Sequence, residues 1–108
     1  MVKGTIDKEI IDSVKKYRDV VKTSGVSVDK IIIFGSQAKG TANKNSDIDV
    51  AVVSKDFGID DIEEMQKLWK KTRFADTRIE PYPLSIDEFE NGFSPIISEI
   101  RKYGIVVA

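Results

Sequence analysis

The chain has 108 residues, no cysteine, no histidine, 17 basic and 18 acidic residues, and a formal charge of -1. Disulfides, thiolate metal sites and imidazole chemistry are thereby excluded, so any catalysis runs on carboxylates, hydroxyls, lysines, backbone amides or a borrowed metal. The length suits a single domain over 1–108, able to bury roughly two-thirds of its unfolded surface in one core, and the near balance of charge offers no overall field for a polyanion such as nucleic acid.

Ile6, Ile10, Ile11, Val14, Tyr17 and Val21 recur at helical spacing and predict an amphipathic helix that ends before Gly25. Val28 to Phe34 contains the apolar run Ile31 to Phe34, cut off by Gly35, and reads as a buried central strand. A turn and a short helical stretch through Ser36, Gln37, Ala38 and Lys39 follow. Gly40 to Ser46 is a polar loop, and Asp47 to Val53 alternates into a second strand. Asp60 or Asp61 caps a helix carrying Ile62, Met65, Leu68, Trp69 and Thr72, with Lys67, Lys70 and Lys71 late, ending near Phe74. Met65, Leu68 and Trp69 read as core rather than as a cofactor surface.

Arg78 to Leu84 is a third strand, put at an edge or stopped early by Pro81 and Pro83, which cannot donate ladder hydrogen bonds. Ser85 and Glu88 form a capping box, and Ser94-Pro95 starts a last helix through Ile96, Ile97, Ile100 and Tyr103. After Gly104, Ile105 to Val107 make a short closing strand. The expected fold class is α/β (α+β), a small mixed sheet of about four strands with helices packed on it. No apolar run approaches the roughly 20 residues that span a bilayer, and Met1 to Ile6 lacks the profile of a signal peptide. The expectation is a cytoplasmic protein without a membrane partner.

The stretch richest in chemistry runs from Phe34 to Val53. Glycine at the end of a buried strand lets the backbone approach a ligand, and the free amides that follow suit phosphate, with the Ser36 hydroxyl as a further donor. Asp47 and Asp49, two apart on a strand, point to one face, where their oxygens can share hard cations. Left bare they repel each other. Taken alone, a Gly-Ser after a strand is a turn and an Asp-x-Asp a solvated strand end; a phosphate-suited turn leading within about a dozen residues to paired acids is more informative. A P-loop is excluded because Thr41-Ala42 stands where Lys and Ser or Thr are needed. Gln37 breaks a dinucleotide fingerprint.

The pattern Gly35-Ser36-x-Ala38-x-Gly40, followed by Ser46-Asp47-Ile48-Asp49, resembles the signature of the polymerase-β nucleotidyltransferase superfamily, and the short chain resembles its minimal branch. The resemblance implies a nucleotidyltransferase fold and metal-dependent transfer of a nucleoside monophosphate, with ATP the expected donor, to a hydroxyl. It implies that Gly35 and Ser36 contact the triphosphate, that Asp47 and Asp49 bind Mg2+, with Mn2+ as an alternative, and that a third acid on a later strand completes the catalytic and metal-binding set. Glu80 takes that place by position, with Asp76 as the alternative. Glu80 stands where the family more often has aspartate, and Gln37 where relatives often carry a basic residue, which leaves Lys39 and Lys44 to supply charge to the phosphates.

The acceptor is not visible in the sequence. Stand-alone domains of this type resemble one half of paired HEPN and nucleotidyltransferase toxin-antitoxin systems, which implies a small helical HEPN-like partner and, as first acceptor, a tyrosine on it. Homo-oligomerisation is left open. The rival readings are a catalytically inactive domain that binds a nucleotide or partner and acts as an antitoxin by contact, and a nucleic-acid-binding module, which the near-neutral charge disfavours.

Overall fold

The computed structural model describes residues 6–107; the reading of the first residues as lacking a signal peptide falls, apart from Ile6, outside them. The elements run α1 (Lys8–Thr23), β1 (Lys30–Phe34), α2 (Ser36–Lys39), β2 (Ile48–Val53), α3 (Asp61–Lys71), a 3-10 turn (Thr72–Phe74), β3 (Ile79–Leu84), α4 (Ile86–Asn91), α5 (Pro95–Tyr103) and β4 (Ile105–Val106). They form a mixed α/β fold around one four-stranded sheet of order β3-β2-β1-β4. β1 pairs antiparallel with β2 and with β4, while β2 and β3 run parallel. A parallel pair needs a crossover, and α3 supplies it. No helix among the described residues is long and apolar enough to cross a membrane.

Both faces of the sheet are covered, and strand alternation sorts the residues between them. Ile31, Ile33, Ile48, Val50, Val52 and Ile79 face the stripe Ile10, Val14, Tyr17 and Val21 of α1 together with Leu68 of α3. Ile32, Phe34, Ala51, Val53 and Leu84 face Ile97 and Ile100 of α5. By the same alternation Asp49 and Glu80 belong to the second face, with Ala51 and Tyr82 as their neighbours two residues on. β3 is an edge strand, as its prolines predict. Ile48 N–H donates to Arg78 O and Ser54 N–H to Leu84 O, both at 2.9 Å, so even-numbered residues of β3 face β2 and Pro81 and Pro83 turn toward the open edge.

The predicted caps form. Asp60 accepts from Glu63 N, Ser85 and Glu88 make the reciprocal capping box, and Ser94 accepts from Ile97 N ahead of Pro95. The capping box and Ser94 start two separate helices, with the chain extended at Gly92 between them. Two details differ from the sequence expectation. Asp47 precedes β2 rather than opening it. Trp69 is 53% exposed and Ile62 73% exposed, so α3 buries Leu68 and half-buries Met65 but turns its other large residues outward. Trp69 follows Leu68 by about 100° around the helix, and the sheet below is wide enough for one of the two.

α1 and α3 are also joined by a polar contact, in which the buried Tyr17 hydroxyl donates to Leu68 O at 2.8 Å. Tyr17→Phe keeps the packing and removes that bond. It is expected to cost about 0.5–1.5 kcal/mol, with the midpoint falling by roughly 4–8 °C per kcal/mol in a thermal melt.

Candidate active site

The site is assembled at the end of β1 and the start of β2. Gly35 follows β1 with φ of 69° and ψ of -148°, a conformation that residues with a Cβ avoid. A Cβ built at Gly35 would also overlap the Asp49 carboxylate. Glycine is thus required both for the turn and for the approach of Asp49. Ser36 opens α2, and Gly40 ends it in the left-handed conformation with φ of 77°. The loop beyond is tied locally: Asn43 Oδ1 accepts from Asn45 N at 2.8 Å, and Ser46 Oγ accepts from Asn43 N at 2.9 Å. It delivers Asp47 to the mouth of the sheet.

Register fixes the rest. Phe34 is the Cα partner of Asp49 on β2, and Asp49 is the partner of Glu80 on β3. Gly35, Asp49 and Glu80 therefore lie at one level across three adjacent strands. Asp47 joins them through a hydrogen bond shared with Glu80, whose carboxyl is pushed up to about 7 by that bond, by burial and by the charges of Asp47 and Asp49. Asp49 is raised by burial first, then by Asp47 and Glu99. Two carboxyls share a hydrogen bond only if one carries a proton, so the crowding is relieved by protonation where no cation is present. Oxygen donors of this kind suit a hard divalent cation. Among the described residues, however, no three acidic groups are already gathered closely enough to hold one ion between them.

Asp76, the alternative third acid, is otherwise engaged. Its carboxylate accepts from Arg78 Nε at 3.1 Å and Nη2 at 2.7 Å, and these bonds hold it below the usual range. Arg78 is consequently not the partner of Glu80. Lys39 lies one helical turn after Ser36, and its Nζ is bound to Glu99 at 3.1 Å and sits 5.0 Å from the centre of the Tyr103 ring. Lys44 is exposed and lines a polar depression of about 260 Å3 with Gln37, Asn43 and Arg78. The structure thus gathers Gly35, Asp47, Asp49 and Glu80, sets Lys39 beside them in a bond with Glu99, and leaves Lys44 in that depression. A larger cavity of about 540 Å3 lies elsewhere, between the turn after α1 and the start of α3.

Two residues at the site escaped the sequence reading. Glu99 comes from α5, and no local pattern marks it, since only the tertiary packing of that helix brings it toward Asp49. Tyr82 was legible in principle, being two residues after Glu80 on the same strand. Its ring meets Phe34 edge-on at 5.2 Å across the small Ala51, and its phenol feels Asp49, Glu80 and Asp47.

The raised carboxyls give a pH signature. Glu80 binds a proton more tightly folded, at about 7, than unfolded, at its ordinary 4.5. Its stabilising contribution is therefore complete below about 4.5 and lost as pH rises through 7. Asp49 acts in the same sense, whereas the lowered Asp76 acts only in acid. Without divalent metal the melting midpoint is expected to fall between pH 5 and pH 8. Because the pair is part-solvated, the effect is about 0.2–1 kcal/mol, or one to a few degrees, and Glu80→Gln should flatten it. A parent whose midpoint is constant over that range in EDTA would contradict the carboxyl pairing.

Comparison with known proteins bears on this arrangement. The model of the nucleotidyltransferase domain family matches residues 14–106. A protein of Methanocaldococcus jannaschii, named provisionally a protein adenylyltransferase, is 30% identical over 106 residues, covering 92% of this chain and 99% of its own. Among solved structures, a toxin-antitoxin crystallised with AMP-PNP is similar with a TM-score of 0.65 at 22% identity, over 87% of this chain and 71% of the other. A nucleotidyltransferase candidate from Sulfolobus solfataricus is similar with a TM-score of 0.57 at 20% identity, over 97% and 90% of the two chains. These structural likenesses concern the fold, and the family match spans nearly all the elements described above: the chain belongs to the nucleotidyltransferase domain family.

Proposed function

We propose that the chain transfers a nucleoside monophosphate from ATP to a hydroxyl on a partner protein, with Mg2+, or Mn2+ in its place, held by Asp47, Asp49 and Glu80. The observation that carries this reading is the convergence of Asp47, Asp49 and Glu80, with Asp49 packed against a glycine turn that has no room for a side chain. Such crowding weakens the fold unless positive charge arrives, and a metal-bound triphosphate brings it. Bound there, the divalent ion would neutralise the phosphates and lower the pKa of the attacking hydroxyl. The chain's own groups do the remaining work. The Gly35 turn and the Ser36 hydroxyl orient the terminal phosphates so that attack at the α-phosphorus is in line, the bond from the α-phosphorus to the bridging oxygen breaks and pyrophosphate leaves. Glu80 accepts the proton of the acceptor hydroxyl. Lys39 adds charge to the phosphates by exchanging Glu99 for them, with Lys44 on the loop after α2 as a second source of charge.

The name of the Methanocaldococcus relative supports a protein acceptor. Likeness to a toxin-antitoxin bound to AMP-PNP supports an adenine nucleotide and a partner chain. Within this proposal the acceptor is taken to be a tyrosine on a small helical, HEPN-like partner. A second reading, a domain that binds its partner without catalysis, is favoured by two features: Lys39 is already paired, and three acids are not poised around one ion. Incubation of the chain with labelled ATP, Mg2+ and the purified partner separates the two. The enzyme reading expects label on the partner that disappears with EDTA and with Asp49→Asn. Tight complex formation without label supports the second reading.

Two substitutions at the turn should differ in kind. Ser36→Ala removes one hydrogen bond, costing about 0.5–1.5 kcal/mol of nucleotide affinity, or more where the acceptor is a charged phosphate, and leaves the fold intact. Gly35→Val forces a branched side chain into positive φ and into the Asp49 carboxylate, so nucleotide binding is lost. Calorimetric titration with magnesium and ATP reads both, and wild-type affinity in Gly35→Val would refute the phosphate turn.

A further inference from the structure

Beside the carboxylates, at the β3 edge of the sheet, lies a groove of about 240 Å3 walled by Tyr82, Ile96 and Ile100 from the carboxylates' side and by Pro83 and Met65 of α3. Two rulers measure its distance from the acids. Along β3, Tyr82 follows Glu80 by two residues, about 7 Å. Along α5, Ile96 precedes Glu99 by three residues, about 4.5 Å and on one stripe of the helix, and Glu99 is close enough to raise the Asp49 carboxyl. Tyr82 belongs to both places, since its phenol feels the three carboxylates while the residue also lines the groove. The groove is thus separated from the acids by roughly the length of a sugar ring.

Its chemistry narrows the occupant. The charged residues on its rim are Asp61 and Glu88, and no lysine or arginine lines it, so it repels phosphate. Its walls are aliphatic and aromatic, and Ile96 is 38% exposed to whatever enters. The volume lies below the roughly 300 Å3 at which drug-sized sites begin and suits one planar ring system rather than a whole nucleotide. The opposite side of the acids is the Gly35 turn with Lys39, where phosphate fits. A nucleotide laid across the acids accordingly has one permitted direction, with its phosphates toward α2 and its base toward β3 and α5.

Resting on the triphosphate site proposed above, we infer that this groove is the nucleobase subsite, in which the planar base of the nucleoside triphosphate packs between Tyr82 and Ile96. It makes the affinity depend on the base, which the Gly35 turn and the carboxylates alone cannot do. The residues that would give it any preference among bases are Asp61, Glu88 and Ser94, whose oxygens line the same groove.

The test compares two ligands, ATP and inorganic tripolyphosphate, each titrated calorimetrically with Mg2+ into the full chain. Base packing of this kind predicts that ATP binds roughly 5- to 100-fold more tightly than tripolyphosphate. Ile96→Asp, at an exposed position that leaves the core intact, should remove that excess and leave tripolyphosphate unchanged. Equal binding of the two ligands by the parent overturns the groove assignment and leaves the triphosphate site standing, with the groove then available to the acceptor. An excess that survives Ile96→Asp also overturns it, because the base then lies elsewhere. If neither ligand binds the parent with Mg2+, the triphosphate reading falls and the subsite with it.

Discussion

The register of three strands governs the rest of the site. Because Phe34 pairs with Asp49 and Asp49 with Glu80, the glycine turn after β1 and two acids from β2 and β3 share one level of the sheet. A slip of one residue in either pairing would send an acid to the opposite face, into the apolar contact with α1 and α3. That register is held by the cores on both faces, since Val50 and Val52 must meet α1 and α3 while Ala51 and Val53 must meet α5. The cost of misplacing the acids is thereby borne by many apolar contacts rather than by the acids themselves. Ala51 has a further part: as the small residue between Phe34 and Tyr82, it lets their rings touch over β2.

The fold was largely legible because its signals are local. The run Ile31 to Phe34 ending at Gly35, the Asp60, Ser85 and Ser94 caps and the prolines of β3 each impose a structure through backbone chemistry that needs no partner. The misreadings occurred where tertiary competition decides. Trp69 was read as core because its spacing is helical, yet Leu68 beside it occupies the space over the sheet.

For the site, the contrast is between strand-borne and helix-borne residues. Asp47 and Asp49 are linked by a period of two, and the order of strands sets Glu80 of β3 beside Asp49. The competition of Asp76 for the third place was undecidable from sequence, since it turns on Arg78 reaching back two residues with both bonds. Lys39 was read as a free cation for phosphate. Its bond to Glu99 spans 60 residues in sequence and depends on how α5 crosses the sheet, which no motif encodes.

Electrostatics links these features. Asp47, Asp49, Glu80 and Glu99 converge on one opening, where Lys39 is paired with Glu99 rather than with Asp47 or Asp49. The ring of Tyr103 faces the same ammonium, so the lysine is held from two sides without being neutralised twice. A metal-bound polyphosphate would change the balance in one direction only. The metal relieves the carboxylates, which lowers their affinity for protons, and the phosphates then compete with Glu99 for the lysine. Each of these shifts opposes the repulsion among the carboxylates, and neither requires the sheet to move. The apolar edge at Tyr82 and Ile96 contributes no charge to that exchange. On the proposed reading, affinity for the phosphates and discrimination at the groove would be carried by different residues on different elements, so that one could change without disturbing the other.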